Sequence, residues 1–202
     1  MRLRRGLVSR TGPAPWRFAL IILFLAFVPV EARGPLDRER TQAGIRMYYA
    51  PQTNLSDIDR ALMASAKARI DLAAYVLTDQ TIMVALMDAA RRGVKLRIYL
   101  DPDQPAAKNP DRTTPFWTLL RAPNVQTRVK FGGNDLMHLK AYQIDGRVLR
   151  TGSANFSFSG ARRQDNDLIV IESTDAVAQF MQQFESMWSR RGSDPFPQPA
   201  ER

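Results

Sequence analysis

One short stretch of this chain holds a histidine, a lysine, a hydroxyl and an amide at regular spacing. His138 and Lys140 stand two apart, Asp145 follows after four residues, and six residues later comes Gly152-Ser153-Ala154-Asn155. Residues two apart on a strand point to the same face, so His138 pairs with Lys140 and Ser153 with Asn155. The set suits attack on a phosphate ester. A neutral imidazole can be the nucleophile, and an ammonium can hold oxygens on which negative charge grows. A hydroxyl and an amide can donate to the same oxygens, and Gly152 leaves room for close backbone approach. The imidazole must be neutral and oriented, which calls for an acceptor on its other ring nitrogen. Asp145 precedes Gly146 at an expected hairpin turn, so turn formation, a structural ion pair and a part in the chemistry all remain open for it.

Six fixed residues at about 5% usage each would match by chance on the order of 10⁻⁸ times per starting position. The pattern resembles the signature of the phospholipase D superfamily at every defined position. The resemblance extends from Ile45 to Trp188, through the strand pattern, Gly93-Val94 at the start of a strand, and Asn166-Asp167 ahead of the last one. It implies an α/β, phospholipase D-like fold, with a mixed sheet flanked by helices on both faces. It also implies metal-independent phosphodiester hydrolysis through a phosphohistidine, with no cofactor and no metal. His138, Lys140, Asp145, Ser153, Asn155 and Asp167 form the implied catalytic set, in which Lys140, Ser153 and Asn155 bind the phosphate. Asp167 is the implied acceptor that orients His138, Glu172 being a weaker alternative, and Asp145 supports the site. The mechanism of this family uses two histidines, and the chain has one. A homodimer with two motifs meeting on a two-fold axis is therefore implied.

The elements that must carry these residues are legible in outline. Ile45–Tyr49 reads as a strand, and Ser56 as the cap of a helix to about Lys67 with Ile58, Ala61, Leu62 and Ser65 on one face. Ile70–Leu77 is a buried strand. Asp79 starts a helix with Ile82, Ala85, Leu86 and Ala89 inward, which Gly93 ends. Lys95–Leu100 is the next strand, and this alternation predicts parallel strands. Residues 101–113 read as a loop, Phe116–Arg121 as a short helix, Gln126–Phe131 as a strand and Gly132-Gly133-Asn134 as a turn. Lys140–Ile144 and Val148–Thr151 flank Asp145-Gly146, a strong hairpin signal. Leu168–Glu172 is a strand. Thr174–Arg190 is a helix with Val177, Phe180, Met181, Phe184 and Trp188 inward.

Residues 1–32 combine a basic start, the apolar run Phe18–Val28 and Val30-Glu31-Ala32, the pattern of a secretory signal peptide cleaved after Ala32. The alternative is an uncleaved membrane anchor, and either places the domain in the periplasm or outside the cell. Residues 33–44 read as a linker, 45–190 as the catalytic domain and 191–202 as a disordered tail. The absence of cysteine excludes disulfides and thiolate sites, and the single histidine excludes a multi-histidine metal site within one chain. The net charge is +9, and the +5 that remains without residues 1–32 suits a polyanionic partner. The resemblance to single-motif secreted bacterial members, which are nonspecific endonucleases, implies DNA or RNA as substrate, cut without sequence preference, with Arg147, Arg150, Arg162 and Arg163 as candidate phosphate contacts. The alternative is a membrane-associated phospholipase D acting on phosphatidylcholine or cardiolipin headgroups, for which Phe116, Trp117, Phe156 and Phe158 are candidate rim residues.

Overall fold

The computed structural model describes residues 44–130 and 135–196. The expected signal peptide, nearly all of the linker, and the Gly132-Gly133-Asn134 turn lie outside them. In chain order the elements are β1 (Gly44–Ala50), α1 (Leu55–Ser65), β2 (Arg69–Ala74), α2 (Gln80–Arg91) and β3 (Lys95–Leu100). A 3₁₀ turn (Pro105–Lys108), α3 (Pro115–Leu120), β4 (Val125–Lys130), β5 (Lys140–Ile144) and β6 (Val148–Thr151) follow. The series closes with α4 (Phe158–Arg162), β7 (Asn166–Glu172), α5 (Thr174–Ser189) and β8 (Ser193–Pro195).

The strands form one eight-stranded sheet in the order β1-β7-β6-β5-β2-β3-β4-β8. Neighbours β2, β3 and β4 run parallel, as the alternation of strands and helices predicts. The first strand departs from that expectation, because β1 pairs antiparallel with β7 at the far edge. Its residues give the reason: Ile45, Met47 and Tyr49 are all exposed, whereas a central parallel strand must be apolar on both faces. By contrast, all of β2 from Ile70 to Ala74 is buried.

Alternation along β2 and β3 divides the core in two. Ile70, Leu72, Ala74, Leu96 and Ile98 pack with Met63 of α1 and the apolar face of α2. Ala73 and Tyr99 point the other way, onto Phe184 and Met187 of α5. Each such fully buried Leu, Ile or Phe contributes about 1.5–3 kcal/mol. On the α5 side, buried Asp71 binds Arg97, whose guanidinium also reaches Glu185 at 2.6 Å. Helices thus cover both faces of a mixed sheet.

Local signals place most helix ends. Asp79 caps α2 by accepting from the Thr81 N–H at 2.8 Å, and Gly93 ends the helix at φ +92°. The cap of α1 differs from expectation. Asn54 accepts the Ser56 N–H, while the Ser56 hydroxyl is buried against Asp79 at 2.6 Å. The inward face of α1 is Leu55, Asp59 and Met63, and the expected Ala61 and Ser65 are exposed, because Asp59 is drawn in by a buried arginine described below. The expected disorder from residue 191 is also corrected over 193–195. Ser193–Pro195 adds an antiparallel edge strand to β4, and Phe196 packs between Phe116 and Trp117.

Candidate functional site

His138 lies just before β5, in a segment pinned from both sides. The Met137 N–H donates to the buried Asp101 carboxylate at 2.8 Å, and the Leu139 carbonyl accepts from the Tyr75 N–H at 2.9 Å. Met137 is buried, whereas His138 and Leu139 both face solvent. The next alternate residue, Lys140, opens β5 and is only 8% exposed. Its ammonium donates to the His138 carbonyl at 2.7 Å, and burial draws its pKa below the ordinary lysine value. Both side chains meet one ring: Tyr75 lies 4.4 Å from the imidazole, centroid to centroid, and 4.8 Å from the Lys140 nitrogen. The expected common face is present, although only Lys140 belongs to the strand.

The second half of the motif follows β6. Gly152 has φ +136°, and a Cβ there would lie 2.5 Å from the Asp167 carbonyl oxygen. Only glycine lets the chain pass this close to β7, where the Ala154 N–H donates to that same carbonyl at 3.2 Å. Ser153 is exposed and locked to Asp167. Its hydroxyl donates to the carboxylate, its N–H donates to the same oxygen at 3.0 Å, and its Oγ accepts the Asp167 N–H at 2.9 Å. The Ser153 hydroxyl holds the Asp167 carboxyl below the usual range, against a smaller opposing effect of burial. The Asn155 amide oxygen is buried with no hydrogen-bond partner among the described residues. An orphaned buried acceptor costs about 1–3 kcal/mol, and such groups persist where function retains them.

Within one chain the expected hydrogen bond from His138 to Asp167 is not formed. Among the described residues no hydrogen bond reaches the imidazole, and one oxygen of the Asp167 carboxylate, Oδ1, accepts both bonds from Ser153. Glu172, the alternative, pairs with Arg46 at the other end of β7. Of the roles left open for Asp145, the structure shows one in the turn. It stands at the far end of β5 from Lys140, at φ +53° in the hairpin turn. There its carboxylate accepts three backbone N–H groups, from Lys67, Ala68 and Arg69, at 2.8–2.9 Å. Partial burial works to raise its pKa, but these bonds outweigh it and hold the carboxyl below the usual range.

Arg150 does not face solvent phosphate. It is fully buried, with a two-pronged pair to Asp59 at 2.9 and 3.1 Å. Its remaining terminal nitrogen donates to the Lys140 carbonyl at 2.9 Å and the Ala154 carbonyl at 3.3 Å. One guanidinium thus ties the strand of Lys140 to the turn of Ser153 and Asn155, and Tyr142 completes the cluster through its hydroxyl on Asp59. Of the other candidate arginines, Arg162 pairs with Asp79, Arg147 is exposed beside the hairpin turn at the Asp145 end, and Arg163 is exposed beyond Asn155. Three of the four candidate rim aromatics, Phe116, Trp117 and Phe156, are core residues, whereas Phe158 is 53% exposed.

The sequence reading passed over Tyr75, Asp59 and Asp101. Tyr75 and Asp101 each directly follow a parallel strand, β2 and β3, and the carboxyl ends of parallel strands are where ligands bind in open α/β sheets. That signal was available for both. Asp59 had none, since its partner lies on β6. Exposed Leu136 and Leu139 flank His138, and Met47 and Tyr49 line an open recess with Ser153 and Asp167. No group of three or more His, Cys, Asp or Glu side chains able to hold a metal occurs among the described residues. None of their helices is long and apolar enough to cross a membrane.

Comparison with known proteins gives the same architecture. Nuc from Salmonella typhimurium superposes with a TM-score of 0.64 at 22% identity, covering 77% of this chain and 99% of that one. NucT from Helicobacter pylori does so at 0.66 and 19%, covering 77% and 100%. In sequence, mouse mitochondrial cardiolipin hydrolase is 29% identical over 139 residues, 68% of this chain and 59% of that protein. This chain thus spans little more than half of the length of such relatives, 52% in the human protein. A phospholipase D of Rickettsia bellii is 31% identical over 152 residues, 75% of this chain and 73% of that one. The model of the family described as cardiolipin synthase, PLD-like domain, matches residues 60–188, a span that holds the whole motif from His138 to Asn155, and the chain therefore belongs to the phospholipase D superfamily.

Proposed function

We propose that this protein is a phosphodiesterase that forms a covalent phosphohistidine on His138 and works as a homodimer. The observation that carries the proposal is the convergence around Tyr75 and Arg150. A solvent-facing imidazole stands beside a partly desolvated ammonium, and a buried guanidinium holds that strand against the Ser153–Asn155 turn. His138 attacks phosphorus and the bond to the leaving oxygen breaks. That oxygen takes a proton from the imidazolium of His138 in a second copy, since each chain has one histidine. The second imidazole then removes a proton from water, whose oxygen displaces His138 and breaks the P–N bond. Lys140 and the NH2 of the Asn155 amide would hold the non-bridging oxygens.

A nucleic acid is the proposed substrate. Without residues 1–32 the chain remains moderately basic, at +5, and the aromatic side chains best suited to an acyl groove are buried in the core. The exported location proposed from residues 1–32 suits scavenging of outside polymer. A second reading, headgroup hydrolysis of a phospholipid, is favoured by exposed Leu136, Leu139 and Phe158 near the motif and by relatives named for cardiolipin and phospholipid hydrolysis.

The test is plasmid and RNA degradation in EDTA, run beside release of choline from phosphatidylcholine vesicles and of phosphatidate from cardiolipin vesicles. Enzyme quenched in alkaline denaturant, which preserves the acid-labile P–N bond, is then searched for a phosphoramidate on His138. The expected result is EDTA-resistant nucleic-acid cleavage, an adduct on His138, and loss of at least about 10⁴-fold in His138→Ala. Cleavage of lipid alone selects the second reading. Turnover with no adduct, or full activity in a stable monomer, refutes the mechanism.

A further inference from the structure

We propose that Tyr75 is a positioning residue of this site, and that its aromatic face, not its hydroxyl, does the positioning. The inference rests on the proposed roles of His138 and Lys140 and concerns how two side chains on an exposed segment are kept in a productive arrangement.

Tyr75 is itself held rigidly. Its N–H donates to the Leu139 carbonyl at 2.9 Å, and its carbonyl accepts from the side chain of buried Gln104 at 2.6 Å. Gln104 also accepts the Leu77 N–H and donates to the Asp101 carbonyl, so the backbone after β2 and the backbone after β3 form one frame. The ring projects from this frame, half-buried, to the imidazole at a centroid distance of 4.4 Å and a tilt of 56°. Its face also lies 4.8 Å from the Lys140 nitrogen. The phenolic oxygen makes no hydrogen bond among the described residues, so the contacts available to Tyr75 are those of the ring.

Two needs of the site meet at this ring. Among the described residues no hydrogen bond orients the imidazole, and an exposed histidine would otherwise sample several rotamers. The tilted ring contact restricts them. Lys140 has lost part of its hydration, which disfavours its charged form. The negative face of an aromatic ring attracts an ammonium and restores part of what water supplied. Tyr75 thus keeps the imidazole aimed and the lysine charged before substrate arrives. Plain packing would explain the ring's burial, but not its contact with both functional groups at once.

The test compares Tyr75→Phe, Tyr75→Leu and Tyr75→Met in the full chain. With plasmid as substrate, Tyr75→Phe should stay within about threefold of wild type. Tyr75→Leu and Tyr75→Met should lose about 30-fold in kcat, equivalent to ~2 kcal/mol, with a smaller change in KM. The single histidine allows a readout independent of activity. The His138 Cε1 proton gives one NMR signal, displaced by the ring current of Tyr75 in wild type and in Tyr75→Phe. In the aliphatic variants it should move to the position of a solvent-exposed histidine. A wild-type signal already at that position overturns the proposal without any variant. So does an aliphatic variant with unchanged kcat, and so does loss of activity in Tyr75→Phe equal to that in Tyr75→Leu. If wild type cleaves neither nucleic acid nor lipid, the proposed function fails, and the NMR comparison alone decides whether the ring orients His138.

Discussion

Replacing Asp145 separates a role in chemistry from a role in the fold. Five residues of β5 separate its carboxylate from Lys140, which at ~3.3 Å per residue is about 17 Å. Its partners are instead the N–H groups of Lys67, Ala68 and Arg69, at the turn between α1 and β2. In Asp145→Ala these three bonds are lost, each contributing about 1 kcal/mol net. An alanine must also adopt the φ of +53° that aspartate tolerates, which costs about 1–2 kcal/mol. Because Lys67 and Ala68 are exposed, water recovers part of the loss, and the expected destabilisation is about 3 kcal/mol. Asp145→Asn keeps the backbone preference and one acceptor oxygen, so about 1–2 kcal/mol is expected. Urea unfolding at fixed protein concentration measures both, and kcat per folded molecule should stay within about threefold of wild type. The carboxyl is held below its ordinary pKa in the folded protein. Its contribution is therefore present above the unfolded pKa, about 3.9, and is lost as pH falls through the folded value. The gap in stability between wild type and Asp145→Asn should close as pH drops below ~4. A hundredfold fall in kcat at unchanged stability would refute this reasoning and return Asp145 to the chemistry.

Other substitutions probe the frame around the motif. Gly152→Ala drives a Cβ to 2.5 Å from a backbone oxygen that cannot swing aside, and urea unfolding should show at least about 2 kcal/mol of destabilisation. Unchanged stability there would contradict the close approach of β6 and β7. Asp59→Asn and Arg150→Met each break a fully buried ion pair and should cost about 3–5 kcal/mol singly. In a double-mutant cycle the two changes together should cost clearly less than the singles combined, and simple additivity would show that the pair does not act as a unit.

The sequence alone determined whatever depends on near neighbours. The cap at Asp79, the stop at Gly93 and the hairpin at Asp145-Gly146 are set by residues within a few positions, and they stand as read. The motif itself was legible for the same reason: spacing of two puts His138 and Lys140 on one side, and Gly152 marks a close approach before the partner is known. Tertiary structure decided which distant groups answer one another. Arg150 looked like a surface charge until Asp59, on another element, drew it inside, and that also turned α1 so that an aspartate faces the core. Asp167 was the natural acceptor for His138, and within the chain its Oδ1 is bound by Ser153. Asp145 meets three backbone donors that no local pattern announces, and Tyr75 reaches the imidazole and the ammonium only because β2 pairs with β5. Hydrophobic period and capping are properties of a segment. Partnership across a sheet depends on strand order and register, which the whole chain sets by what it can bury at once.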